Sequence, residues 1–181
     1  MRVVGGELGG RTLRAPRGRA TRPTSERARE AIFSILADVS ENRVLDLFAG
    51  SGALGIEALS RGAARATFVD SAPAAVAAIE HNLTVLGVSE RARVVAADVG
   101  VALRAAARGA DKYDLVFIDP PYALAGGLAA LLDAALPPVL AEGARVLTES
   151  DRREPLALGL PCSGERRYGD TIIAIHENSH K

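Results

Sequence analysis

One cysteine, Cys162, stands in the whole chain, and there is no tryptophan. A lone thiol can neither staple a fold nor build a thiolate metal site. A disulfide scaffold and a metal centre are therefore not expected, and a reducing, cytoplasmic setting is. No run approaches 18 apolar residues without a charge, so no membrane-spanning helix and no membrane partner are expected. The opening MRVVGGELGGRTLR lacks the continuous apolar stretch of a secretory leader. Net charge is absent too, with 22 Lys and Arg against 22 Asp and Glu. What remains is 181 residues, 48% of them hydrophobic, which suits one folded domain and excludes a wholly disordered chain.

The zero charge conceals a division. Residues 1–29 carry eight arginines, at positions 2, 11, 14, 17, 19, 22, 27 and 29, against only Glu7 and Glu26, a net +6. The remaining residues carry 14 basic and 20 acidic side chains, a net −6. A basic segment on an acidic body points to a polyanion partner, the plainer alternative being a solvated basic tail. Within the segment, Arg2-Val3-Val4 and Arg11-Thr12-Leu13-Arg14 flank a glycine-rich Gly5 to Gly10, which reads as two short strands and a turn. A loop from Pro16 to Pro23 follows. Thr24 or Ser25 then caps a helix whose apolar face is Ala28, Ile32, Ile35, Leu36 and Val39.

From residue 43 strands and helices alternate. Apolar runs end at Asp46, Asp70, Asp98 and Asp119, with helical stretches near 53–62, 73–87, 100–108 and 126–136. Strands are expected at 144–149 and Thr171 to His176, with a weakly signalled one near 153–158 and a frayed tail from Glu177. This alternation predicts a doubly wound, Rossmann-like α/β fold with a mostly parallel sheet. Ligands in such sheets sit beyond the carboxyl ends of the strands.

Two motifs lie at those ends. Gly50, Gly52 and Gly55 in Asp46-Leu47-Phe48-Ala49-Gly50-Ser51-Gly52-Ala53-Leu54-Gly55 form G-x-G-x-x-G between a strand and a helix. Such a loop lets a ligand approach the backbone, and Asp70, with Ser71 beside it, ends the next strand where an acid can accept ribose hydroxyls. This suits NAD or S-adenosylmethionine. Asp46 before the glycines favours the second, because a negative charge suits a sulfonium better than a diphosphate. Asp98-Val99 adds a third acid and an apolar face for adenine.

The other motif is Asp119-Pro120-Pro121-Tyr122. Consecutive prolines fix the backbone and leave carbonyls without competing N–H groups. An exocyclic base amine is a poor nucleophile because its lone pair is delocalised. Accepting its hydrogens at the Asp119 carboxylate and the Pro120 carbonyl would localise that lone pair, with Tyr122 stacked on the base. A paired base must first be exposed or flipped. Adenine, cytosine and guanine all present such amines, and the motif alone does not choose.

Together Asp46 to Gly52 and Asp119 to Tyr122 look like the S-adenosylmethionine-dependent amino-methyltransferases. With Gly5-Gly6, Arg11, Arg22-Pro23-Thr24, Arg27 to Ala31 and Tyr168-Gly169-Asp170-Thr171, the chain resembles the bacterial guanine-N2 methyltransferases of small-subunit ribosomal RNA. That resemblance implies a seven-stranded sheet with its last strand antiparallel, and a guanine in small-subunit RNA or the 30S particle as target. It divides the chain into an RNA-binding hairpin arm, residues 1–24, and a methyltransferase domain, residues 25–181, acting as a monomer. Asp46, Phe48, Gly50, Ser51, Gly52, Asp70, Ser71, Asp98 and Val99 would surround the cofactor. Asp119, Pro120, Pro121 and Tyr122 would hold the base. Arg2, Arg11, Arg14, Arg17, Arg19, Arg22, Arg27 and Arg29 would meet RNA. The alternatives are a methyltransferase acting on adenine or cytosine in RNA or DNA, a nicotinamide-dependent oxidoreductase, and a non-catalytic RNA-binding factor.

Overall fold

Strand β1, Arg43–Leu47, is buried from Val44 onward because both of its faces are covered. Val44 packs into one hydrophobic cluster, whereas Leu45 and Leu47 pack into another on the opposite face. The same alternation runs through β4, Tyr113–Ile118. Its Leu115 and Phe117 join the first cluster, and Val116 and Ile118 the second. The computed structural model describes residues 1–16, 26–121 and 125–179.

The other strands are β2 (Arg65–Asp70), β3 (Ala92–Ala96), β5 (Leu140–Asp151), β6 (Cys162–Tyr168) and β7 (Thr171–Glu177). Helices α1 (Glu26–Leu36), α2 (Ala53–Ser60), α3 (Pro73–Leu86), α4 (Val99–Arg108) and α5 (Ala125–Ala135) separate them. One seven-stranded sheet results, in the order β3-β2-β1-β4-β5-β7-β6. Strands β1 to β5 run parallel, and β7 is antiparallel to both β5 and β6. The chain winds outward from β1 to β3, then restarts beside β1 with β4. That reversal opens a crevice beyond Leu47 and Ile118, which are register partners.

Helices α1, α2 and α3 cover the face holding Phe33, Phe68 and Phe117, and α4 and α5 cover the other. Val3, Leu8 and Leu13 of the N-terminal segment lie in the first cluster, so residues 1–16 are part of the core rather than a loose extension.

Two expectations need correction. The strand foreseen near 153–158 is a connection, bridged only between Asp151 and Glu154, and the outer strand is β6. Six of the seven residues of β6 are exposed, so it carries no buried alternation to read. The tail is not frayed at Glu177 either. Glu177 belongs to β7, and buried Asn178 donates from Nδ2 to the Ala141 carbonyl at 2.8 Å. Thr24 and Ser25 lie outside the described residues.

Candidate active site

The turn from β1 into α2 is built on left-handed backbone. Phe48, Gly50 and Gly52 have φ of 60°, 57° and 77°. A non-glycine residue in that region stores of order 1–3 kcal/mol and persists only where its surroundings impose it. Here the imposition comes from two carboxylates. Asp70 at the end of β2 accepts the Gly50 N–H through Oδ2 and the Ala72 N–H through Oδ1, both at 2.9 Å. Asp46 accepts the Gly55 N–H through Oδ2 at 2.9 Å. Gly55 itself must lack a side chain, since a Cβ there would lie 2.3 Å from Cε1 of Phe68 beneath it.

Asp46 is 2% exposed. Burial pushes its carboxyl up to about 8, opposed by the Gly55 hydrogen bond and reinforced by the nearby charges of Asp119 and Asp70. At neutral pH it is therefore mostly protonated. Its side chain ties the glycine turn to the strand.

Asp70, only partly buried, keeps lone pairs beyond its two backbone bonds, which suits the hydroxyls of a ribose. Ser71 is exposed beside it, and Ser51 is buried in the turn. A side chain at Gly50 would meet nothing nearer than 3.9 Å, so a cofactor can lie against this backbone. A diphosphate fits less well, because the Gly55 N–H that would bind it at the start of α2 is already taken by Asp46. Asp98 caps α4, its Oδ1 accepting the Gly100 N–H at 2.8 Å, and is exposed. Val99 is buried behind it at 5% exposure.

Asp119, Pro120 and Pro121, all half-buried, leave β4 across the crevice from this turn. The register partners Leu47 and Ile118 put Phe48 and Asp119 side by side at the strand ends. Tyr122 lies outside the described residues. Beside the prolines opens a groove of ≈ 470 Å³, within the size range of small-molecule sites, bounded by α5 and the connection after β5.

This arrangement has relatives. A family described as "Conserved hypothetical protein 95" matches residues 1–177. The chain belongs to that family. It is 38% identical over 183 residues to "Putative rRNA methyltransferase YlbH" of Bacillus subtilis, covering 98% of each chain. It is 42% identical over 123 residues to "Ribosomal RNA small subunit methyltransferase D" of Escherichia coli K12, covering 67% of this chain and 60% of that one. The solved structure of "Putative methyltransferase yhhF from Escherichia coli" superposes with a TM-score of 0.83 at 33% identity, over 100% of this chain and 99% of the other. The fold is shared with a putative methyltransferase solved in complex with SAH, at 16% identity and a TM-score of 0.68, and with an RNA methyltransferase from Salinibacter ruber in complex with S-adenosyl-L-homocysteine, at 18% identity and a TM-score of 0.68.

Within the family frame the N-terminal segment is anchored by residues that periodicity did not single out. All eight residues of α2 are buried, including Glu57 and Ser60. The Glu57 carboxylate accepts the N–H groups of Val4 (2.7 Å) and Gly5 (2.8 Å) and Nε of Arg61 (2.9 Å). Ser60 Oγ donates to the Gly5 carbonyl and accepts the Leu8 N–H. Asn82, 2% exposed on α3, accepts the Arg14 N–H through Oδ1 and donates from Nδ2 to the carbonyls of Arg14 and Ser51. The available signal was polar residues placed in otherwise apolar helices.

Of the arginines expected to face RNA, Arg2, Arg11, Arg14 and Arg27 are exposed. Arg2 pairs with Glu26 at 3.1 Å, and Arg11 donates to the Val85 carbonyl. Arg29 is a correction: it is 1% exposed, and its Nη2 donates to the Arg2 carbonyl at 2.6 Å, bracing the segment against α1. Arg17, Arg19 and Arg22 lie outside the described residues. No described helix is long and apolar enough to cross a membrane, and no group of described His, Cys, Asp or Glu is arranged to hold a metal.

Proposed function

We infer that this chain methylates the exocyclic N2 amine of a guanine in small-subunit ribosomal RNA, on an assembled or assembling 30S particle, as a cytoplasmic monomer. The observation that carries this is the placement of Asp119-Pro120-Pro121 across one crevice from the Phe48–Gly52 turn. The amine site and the cofactor site thus face each other at the strand ends. Membership of a family that includes named ribosomal RNA small-subunit methyltransferases supports the substrate.

S-adenosylmethionine supplies an electrophilic methyl group when bound. Asp70 would hold its ribose, Phe48 to Gly52 its backbone-facing side, and Asp98 and Val99 the adenine end. The Asp119 carboxylate and the Pro120 carbonyl accept the two amine hydrogens, turning the nitrogen lone pair out of conjugation toward the methyl group. The nitrogen loses one proton as the N–C bond forms, and Asp119 is placed to take it before release to water. The aromatic ring that the sequence supplies at position 122 would offer a stacking face for the target base. The exposed arginines of the N-terminal segment meet phosphates and set the particle's approach.

The test is transfer of labelled methyl groups to small subunits from cells lacking the enzyme, alongside naked RNA, followed by mapping of the modified nucleotide. N2-methylguanine at one position, formed on particles, is the expected result. A methylated adenine or cytosine, or no incorporation, would overturn the reading.

A further inference from the structure

The Asp-Pro-Pro turn serves any exocyclic amine, so the choice of base must come from elsewhere. The groove beside it offers the means. Its apolar lining includes Pro120, Pro121, Leu128 and Leu156. Its polar lining on the β5 side includes Ser150, Asp151, Arg153 and Glu154.

Asp151 is the best placed of these. The β4–β5 ladder closes at Ile118 and Thr148, and three residues further along each chain stand Pro121 and Asp151. Asp151 and both prolines of the motif line the same groove. The side chain is half-buried and held in place. Its Oδ1 accepts the Arg153 N–H at 2.7 Å, and its carbonyl accepts the Glu154 N–H at 3.1 Å. Its Oδ2 has no hydrogen-bond partner among the described residues.

A base presented here offers its amine to Asp119 and Pro120 and its adjacent ring nitrogen to the β5 side. In guanine that nitrogen, N1, carries a hydrogen. In adenine and cytosine the nitrogen beside the amine is a bare acceptor. A carboxylate facing it makes a charge-assisted hydrogen bond with guanine and repels the other two. We propose that Asp151 is the base-selecting residue, its Oδ2 accepting the guanine N1–H inside the groove lined by Pro120, Pro121 and α5. This rests on the guanine-N2 reading above and supplies the discrimination that the motif lacks. Arg153 stands on the same wall, available to the phosphate of the flipped nucleotide.

The test follows mapping of the target position. RNAs are made with guanine or 2-aminopurine there, both bearing the N2 amine but only guanine bearing N1–H. Values of kcat/KM are compared for the wild type, Asp151→Asn, Asp151→Ser and Glu154→Gln, with cofactor titration as the control for folding. Asparagine and serine both keep an oxygen that can cap the turn.

The wild type should prefer guanine by on the order of 100-fold or more, as expected where a buried polar group would be left unpaired. Both Asp151 variants should bring that ratio to within a few-fold, chiefly by losing rate on guanine, while Glu154→Gln keeps it. The loss of O6 in 2-aminopurine affects every enzyme alike and cancels in the comparison. An undiminished ratio in the Asp151 variants, a ratio lost in Glu154→Gln, or a wild type indifferent to the two bases would overturn the proposal. Mapping to adenine or cytosine would instead strike the underlying guanine reading, and it is known before the variants are compared.

Discussion

Replacing Asp46 by asparagine should make the protein more stable, and increasingly so as the pH rises. In the unfolded chain an aspartate releases its proton near 3.8, whereas in the fold this carboxyl holds it to about 8. Between those values the native state carries one proton more than the unfolded state, so raising the pH drains native stability by 1.36 kcal/mol per unit. The cost is absent below pH 3.8, grows through neutrality and is complete above about 8. At pH 7 it amounts to about 4 kcal/mol, some three units of that slope. Asparagine keeps the shape and an oxygen for the Gly55 N–H, and it does not titrate. For a chain of this length the gain corresponds to about 10 °C in Tm at pH 7. Thermal unfolding followed by circular dichroism at constant ionic strength, from pH 4 to pH 9, measures it. The two curves should meet near pH 4, separate steadily, and run parallel above pH 8. A constant offset across the range would refute the buried, protonated carboxyl.

Three further outcomes follow from the same geometry. Gly6→Ala places a Cβ 1.9 Å from the Ser60 carbonyl oxygen at a φ of +75°, and should cost about 3 kcal/mol from overpacking and left-handed strain, seen as a lowered Tm and early proteolysis within residues 1–16. Asp119→Ala should lower kcat by about 10²–10³ while the Kd for the cofactor stays within a few-fold, and a comparable loss of cofactor affinity would contradict its role at the amine. Removing Arg11, Arg14, Arg17, Arg19 and Arg22 together should flatten the salt dependence of RNA binding. With about five phosphates contacted, the wild type loses roughly two to three decades of affinity over a fourfold rise in salt, and an unchanged slope in the variant would remove this segment from the interface.

What could be read in advance followed from local regularity. Strands β1 and β4 are covered on both faces and so spell themselves out as apolar runs, and the acids at strand ends mark the crevice because a parallel sheet gathers those ends together. Strand β6 escaped because an edge strand with almost every side chain in water has no buried face to alternate. The raised Asp46 carboxyl escaped because burial is its main cause, and depth is not visible in the spacing of the motif. Arg29 misled for a related reason. Charge along the chain does not reveal which arginine of Arg27-Ala28-Arg29 turns inward on α1.

The +6 and −6 halves of the sequence are consequently not two bodies. Val3, Leu8 and Leu13 enter the core, Glu57 and Ser60 fasten the backbone of the basic segment to α2, and Asn82 fastens its exit to α3. The same Asn82 amide also holds the Ser51 carbonyl inside the glycine turn, so one buried side chain touches both the segment proposed to meet RNA and the loop proposed to hold the cofactor. A basic segment fixed in this way needs little ordering when it meets phosphates, so less of the attraction is offset by lost conformational freedom. The buried carboxylate of Glu57 fits the same logic. An isolated buried charge is costly, but one that satisfies two backbone N–H groups and a guanidinium holds the segment in a conformation in which Arg2, Arg11 and Arg14 stand outward.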